Sequence, residues 1–495
     1  MSAAHRADVR DDEELSAKAR GVLVLAVVLC RLFMVFSFHI YDDAFITYRY
    51  AQNLAAGHGM VFNPGAAWEP VLGTTAPGYA VLLASCCALG AGVVHASLTI
   101  NIVCDAAIAW MLTQLMRGRP LAATLAVLAF AAIPEVGRIS VGGMEPPLFV
   151  ALALGAVCAA NAGRLALAGL LAALDCTVRP EAVLLVGVLA LFYVRSWKQA
   201  LSYFAPVVVV GGVVTALLCN VYGQPIPQSV RAKAGTHGLR PHLDRIADIL
   251  ARSFGPSLGM RVMVPLATLG YILAFAWKSR MRAFITFALL MVSAYLAAGV
   301  KTWGWYFYVP LVAWCAALGT GSDALLEFLG RARSALRFEV LGTRAVLVLA
   351  CVVVLVVALY SRQFPDRVTA LVYQPLQKWV TGAGLEAQHK TMVASDIGAI
   401  GFFSDTLILD SEGLVWPEAV FTKQVDVIRK HRPDYVMLVA NKPRITPFVA
   451  DPIAQDYRPI VRFNITGDAE LRPDPATLPT WWEQDYIIYE RIERP

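Results

Sequence analysis

Charge is scarce in this chain. Only 16% of its 495 residues are Asp, Glu, Lys or Arg, while 58% are hydrophobic, and the mean hydropathy is +0.58. A soluble protein of this size carries roughly 25% charged residues, so the composition excludes an ordinary soluble globule and leaves a polytopic membrane protein. Paired cysteines are missing too. The nine cysteines all fall in apolar segments and none forms a C-x-x-C pair, so they read as small hydrophobes packed in a bundle rather than as metal or redox sites. No G-x-G-x-x-G or P-loop pattern occurs, which argues against a nucleotide-binding domain. The first apolar run holds Arg31 and His39 and lacks a small-x-small exit before Tyr41, so it does not read as a cleaved signal. No internal repeat is apparent, and mid-helix polar residues such as Asn101, Asp105 and Asp175 are few. Both facts weigh against a transporter.

What is present is a series of long apolar runs. The first, Gly21 to Ile40, has 20 residues, just enough to span a bilayer's hydrocarbon core as a helix. Residues 1–20 read as a short cytoplasmic tail. Further runs follow to residue 361, and basic residues cluster in short connections: Arg117/Arg119, Arg164, Arg195/Lys198, Lys278/Arg280/Arg282 and Arg331/Arg333/Arg337. Placing these in the cytoplasm satisfies the positive-inside rule. It puts 41–76, 135–146, 178–181, 222–255, 301–305 and everything after 361 outside. Residues 76–116 hold two apolar stretches but must cross once, so one of them is expected to be broken, re-entrant or tilted, for about 11 crossings in all. The expected fold is an all-α polytopic membrane bundle over 21–361, with external loops 41–76 and 222–255. A small extracytoplasmic α/β domain follows over 362–495.

Several charged residues collect on the external side. Asp42-Asp43 directly follow the first apolar run; adjacent carboxylates at a membrane surface suit deprotonation of an acceptor hydroxyl, metal binding or ion conduction. Glu69, Glu145 and Arg179 join them, and charge at the membrane edge is costly and usually functional. The segment 222–255 violates the positive-inside rule with five Arg/Lys residues. It reads either as an amphipathic helix lying on the bilayer or as a face for an anionic lipid head group; the second is favoured for Arg231 and Lys233, which follow the constrained QPIPQ loop. Lys301 precedes Trp303, Trp305 and Tyr306, an ordinary interfacial belt or a surface where rings stack on sugars and a cation holds phosphate. Gly57-His58-Gly59, Asn63-Pro64-Gly65 and GTTAPG at 73–78 break the first loop, which suggests short juxtamembrane helices.

After residue 361 charge and proline increase. β-type runs appear at Thr391–Ser395, Thr406–Leu409, Tyr435–Val439 and Tyr486–Glu490, with a helical pattern from Pro417 to Lys430. Asp396, Asp405 and Asp410 stand at strand ends, where α/β sheets often bind ligands, although loop acids are commoner as turn formers.

The string YDDAFITYRYAQNLAAGHGMVFNPG followed by GTTAPGYAVLL resembles the first external loop of GT-C glycosyltransferases, integral membrane enzymes that use polyprenyl-phosphate sugars. Within that superfamily the chain looks most similar to bacterial arabinofuranosyltransferases. GGMEPPLFVALAL at 142–154, VRPEAVLL at 178–185, YGQPIPQSVRAKAG at 222–235 and DIGAIGFFSDTLILDSEGL at 396–414 fit the same resemblance. The chain is shorter than the mycobacterial arabinan enzymes, and AAWEPV at 66–71 departs from the expected pattern. The resemblance implies inverting transfer of a sugar, arabinofuranose favoured, to an extracytoplasmic glycan, lipid or protein acceptor. Asp43 would be the general base and Asp42 its orienting neighbour. Lys233, Arg231 and then Lys301 would hold the donor phosphate, while Glu69, Glu145, Arg179, Trp303, Trp305 and Tyr306 would contact substrate. The scheme requires no metal or cofactor, and no nucleic-acid partner is expected. The implied location is the bacterial inner membrane, with the site on its extracytoplasmic face. The competing readings are a flippase for a lipid-linked saccharide and a non-catalytic envelope assembly protein.

Overall fold

The computed structural model describes residues 14–234, 258–298, 302–332, 342–385, 390–466, 470–479 and 484–492. The chain divides into two compact units. One comprises residues 1–38, 97–215 and 237–365; the other comprises 39–96, 216–236 and 366–495.

The first unit is helical. Four helices are long and apolar enough to cross a membrane: Val93–Leu115, Trp197–Tyr222, the continuous Gly304–Leu329 stretch and Thr343–Gln363. Pro120–Ala132 and Pro134–Val141 form a fifth candidate, bent by 63°; Pro134 has no N–H to continue the ladder. Shorter apolar helices include Pro146–Asn161, Leu165–Val178, Ala182–Tyr193 and Arg282–Ala298. Small residues set the spacing of some pairs. A Cβ on Gly270 would strike the backbone of Ala317, and one on Gly321 would strike that of Leu266. The Leu258–Ala276 and Tyr308–Ala332 helices therefore approach as closely as membrane helices do through small residues.

The first apolar run does not stay helical to Ile40. Its helix is Ala17–Met34, and the chain turns at once, with Phe36 N–H donating to Phe33 and Ser37 N–H to Met34. The reason is Arg31, which is fully buried. Its Nε donates to Asp105 at 2.5 Å, Nη2 to the Phe130 carbonyl at 2.8 Å and Nη1 to the Ala131 carbonyl at 3.1 Å. Those carbonyls end the helix that Pro134 breaks, so the guanidinium supplies the donors the bend removes. Ser140 Oγ and the Tyr308 hydroxyl complete the shell around Asp105, at 2.7 and 2.5 Å. The two stretches of 76–116 differ as their breaks suggest: Pro77–Ala88 has 12 residues and Val93–Leu115 has 23. The shorter spans about 18 Å, well under a hydrocarbon core.

The second unit is built on a five-stranded sheet. Its strands are β1 (Thr391–Ala394), β2 (Leu407–Asp410), β3 (Tyr435–Val439), β4 (Tyr457–Phe463) and β5 (Tyr486–Arg491), in the order β2-β1-β3-β5-β4. β1 pairs in parallel with β2 and β3, whereas β5 pairs antiparallel with β3 and β4. β4 was not expected from sequence. It carries Pro459, and the register shifts between Pro459 and Val461, which an edge strand tolerates because that N–H need not enter a ladder. The pattern expected from Pro417 to Lys430 resolves into a 3₁₀ turn, Pro417–Phe421, and a helix, Gln424–His431. The first loop contributes one helix, Asp42–Ala55, rather than several; residues 57–76 are turns and extended chain.

Candidate active site

Asp42 and Asp43 begin the Asp42–Ala55 helix, where carboxylates complement the unsatisfied N–H groups of a first turn. Asp42 is 8% exposed, and its two oxygens accept hydrogen bonds from the backbone N–H groups of Gly398 and Ala399, both at 2.8 Å. It also shares a side-chain hydrogen bond with Asp396, which follows β1. Carboxylate oxygens of Asp42, Asp43 and Asp396 all lie within 4.8 Å of one another. This is the grouping that sequence reading missed: it treated the loop acids and the strand-end acid separately, and no third carboxylate was visible beside Asp42-Asp43.

Burial pushes the Asp396 carboxyl well above the usual range, and the Asp42 charge beside it pushes in the same direction; the Tyr486 hydroxyl, donating at 2.7 Å, opposes them. Burial also raises Asp42, with help from the Asp43 charge, against the bond to Asp396 and the two backbone donors. Two close carboxylates cannot both ionise cheaply. The arrangement therefore keeps one proton on Asp396, which donates it to the ionised Asp42. The same three groups have the spacing of carboxylate ligands for a hard divalent cation. A neutral Asp396 and an Asp42 engaged by two backbone N–H groups make them weaker ligands than three open carboxylates.

The surroundings fix this cluster. Phe45, one turn along the helix, packs edge-on against Tyr373 and tilted against Phe402 and Phe403, with ring centroids 5.1–5.5 Å apart. The Tyr373 hydroxyl is buried with no hydrogen-bond partner among the described residues. Burial raises its pKa well above normal, and the charges of Asp42, Asp396, Asp366 and Asp43 add to the effect. Arg49 is buried a further turn along. Its guanidinium donates to the carbonyls of Phe62 (2.6 Å), Ser404 (3.4 Å), Thr406 (3.2 Å) and Gly401. Burial lowers it to about 10, still protonated at neutral pH. This one side chain ties the loop helix to the segment after Asp396.

The other strand-end acids divide. Asp410 is a turn former: its carboxylate accepts from the N–H groups of Glu412 and Val415, at 2.8 and 3.0 Å, and of Leu414. Burial nevertheless raises it to about 6. Asp405 adds charge near Arg49.

Among the donor-phosphate candidates, Arg231 is exposed on the Gln228–Ala234 helix, and its Nη1 donates to Gln224 at 2.6 Å. Lys301, the Lys233 side chain and residues 235–255 lie outside the described residues. Glu69 lines a cavity in the first loop.

The remaining expected residues belong to the helical unit. Arg179 Nη1 pairs with buried Glu145 at 2.8 Å, and Nη2 pairs with Glu181 at 2.8 Å. The Tyr295 hydroxyl donates to Glu181 at 2.7 Å. The guanidinium sits 4.7 Å from the Tyr306 ring centroid, within cation–π range. Trp303 and Trp305 stack on each other at 5.8 Å and 12°. Sequence reading singled out Arg179, Glu145 and Tyr306 but not Tyr295.

Comparison with known proteins adds the fold. Two crystal structures of ArnT from Cupriavidus metallidurans superpose on nearly the whole chain. The apo form shares 12% identity at a TM-score of 0.60, covering 95% of this chain and 97% of its own. The form bound to undecaprenyl phosphate shares 11% identity at 0.58, covering 96% and 99%. The chain shares the fold of these two structures. It is a multi-pass, mostly helical membrane protein with a small C-terminal sheet. A family model described as a domain of unknown function, DUF8728, matches residues 369–489, the segment that carries the sheet and Asp396. No curated protein matches the chain.

Proposed function

We propose that this protein is an inverting glycosyltransferase. It would move a sugar, arabinofuranose favoured, from a polyprenyl-phosphate donor to an extracytoplasmic glycan, lipid or protein at the bacterial inner membrane. The observation that carries the reading is the Asp42–Asp43–Asp396 carboxylate cluster in a chain whose fold matches a protein crystallised with undecaprenyl phosphate.

Asp43 is the general base. Asp42 is engaged by Gly398, Ala399 and Asp396, which suits a positioning role, whereas Asp43 is half-buried at the start of the helix. Neighbours on a helix point apart, so Asp43 can face substrate while Asp42 faces the 398–399 backbone. The acceptor O–H gives its proton to Asp43 as the oxygen bonds to the anomeric carbon. The bond from that carbon to the phosphate oxygen breaks, and polyprenyl phosphate leaves with the electron pair. A well-placed base contributes typically 10²–10⁴-fold. Lys233 and Arg231, then Lys301, are the cations assigned to the developing phosphate charge; Arg179 and its carboxylates, with Trp303, Trp305 and Tyr306, are assigned to substrate contact.

The test uses purified protein and radiolabelled polyprenyl-phosphate pentose and hexose. Asp43→Asn should lose transfer by at least 100-fold while donor binding persists. Full transfer by the variant would remove Asp43 from the role, and no transfer by the wild type with any donor would sink the reading. Lys233→Ala should weaken donor binding; unchanged affinity would remove Lys233 from the site.

A further inference from the structure

Residues of the first loop, 58–71, and Val415 line a half-open cavity of about 130 Å³. Cavities near this size accept a single six-membered ring. Its walls are fixed. The Asn63 side-chain amide donates to the Ile408 carbonyl at 2.9 Å, and its oxygen accepts from the Ile408 N–H at 3.1 Å. The Tyr50 hydroxyl donates to the Val71 carbonyl and accepts from the Gly73 N–H at 2.8 Å. The Leu72 carbonyl accepts from the Gln228 N–H at 2.8 Å. Trp68 packs beside Trp416 with centroids 6.4 Å apart.

Two polar groups at this cavity stand apart from that bracing. Glu69 and His58 are exposed, and among the described residues no hydrogen bond or ion pair engages the Glu69 carboxylate or the His58 imidazole. A carboxylate accepts from two neighbouring hydroxyls at once, an imidazole both donates and accepts, and the half-buried Trp68 offers apolar ring surface beside them. That combination suits a ring with one hydrophobic face and a hydroxylated rim.

We infer that this cavity is a saccharide subsite that holds one ring of an oligosaccharide acceptor, set back from the ring that supplies the attacking hydroxyl. The inference rests on the glycosyltransferase reading for the word acceptor, but not for saccharide binding. The set-back follows from the helix. Arg49, which binds the Phe62 carbonyl, lies seven residues beyond Asp42, or about 10 Å along the axis. One sugar ring cannot fill the cavity and present its hydroxyl to Asp43 together.

Saturation-transfer NMR on the full chain in detergent tests this with the methyl glycosides of arabinose, glucose and mannose. At least one should bind. Ala66→Phe, which fills the cavity without removing a bracing bond, should abolish its signal, and Glu69→Gln should weaken it at least tenfold. Melting temperatures within about 2 °C of wild type would show that both variants are folded. Undecaprenyl phosphate titrated into the same samples should bind all three proteins alike. No saccharide signal from the wild type, or a signal unchanged in both variants, overturns the subsite. Saccharide binding without undecaprenyl-phosphate binding would instead count against the glycosyltransferase reading and leave the cavity as a saccharide site.

Discussion

Gly398 lies against Asp42 so closely that it has no room for a side chain. A Cβ at Gly398 would lie far inside van der Waals contact of the Asp42 carbonyl oxygen and 2.5 Å from its carboxylate, and it is this approach that lets the Gly398 N–H reach the carboxylate at 2.8 Å. Gly398→Ala should therefore push the Gly398–Phe403 helix off Asp42. Overpacking costs about 2 kcal/mol, seen as a lower melting temperature, and transfer activity should fall with it. A variant as stable and active as wild type would show that the contact does not hold Asp42.

Asp396 is the protonated member of its pair, so an uncharged replacement should be tolerated. Asp396→Asn keeps a donor toward Asp42 and should retain transfer within about tenfold. Asp42→Asn should do worse: it replaces an ionised acceptor of two backbone N–H groups, a charge-assisted arrangement worth about 2 kcal/mol. Equal loss in both variants would place the charge on Asp396 instead. Initial rates with saturating donor decide between them.

Asp410 gives a pH signature separate from activity. Its pKa rises from an ordinary 3.8 to about 6 in the folded chain, so the folded state binds the proton more tightly. The stabilisation is full below pH 4 and is lost as pH rises through 6, a change of about 3 kcal/mol. The melting-temperature difference between wild type and Asp410→Asn should thus shift in favour of the wild type on going from pH 7 to pH 4. A flat difference would mean that Asp410 titrates normally.

The buried Arg31–Asp105 pair behaves as a unit. Asp105→Ala strands the guanidinium and should cost about 3–5 kcal/mol, whereas Arg31→Met with Asp105→Leu, which removes both charges, should cost less. Unfolding in detergent, followed for the single and double variants, measures the difference; a double variant worse than the single one would show that the cap on Phe130 and Ala131 matters more than the charge.

Much of this was legible in sequence because it is local. Asp42-Asp43 after an apolar run, the glycine and proline breaks of the first loop, and four of the five strands within a residue at each end follow from spacing and composition. Tyr457–Phe463 escaped because Arg458, Pro459 and Arg462 interrupt its alternation, and only a place at the sheet edge makes them acceptable. The first helix was drawn six residues too long because apolar character continues past Met34, while the Arg31 side chain in its last turn reaches across to cap another helix. Asp396 was seen as a strand-end acid but not as a partner of Asp42, since nothing in spacing joins residues so distant. Tyr295 and Tyr486, each a hydroxyl on a carboxylate, carry no local signal at all.

The compact unit that holds the carboxylates is assembled from three separate stretches, 39–96, 216–236 and 366–495. Three of the four carbonyls that receive the Arg49 guanidinium, and both backbone donors to Asp42, come from the last of them. Domains generally fold as units as the chain emerges. Here Asp42 and Arg49 are synthesised early and then wait, through most of translation, for Gly398 and its neighbours. A chain stopped at residue 365 would contain Asp42 and Asp43 but neither the third carboxyl nor three of the four carbonyls that hold Arg49 in place.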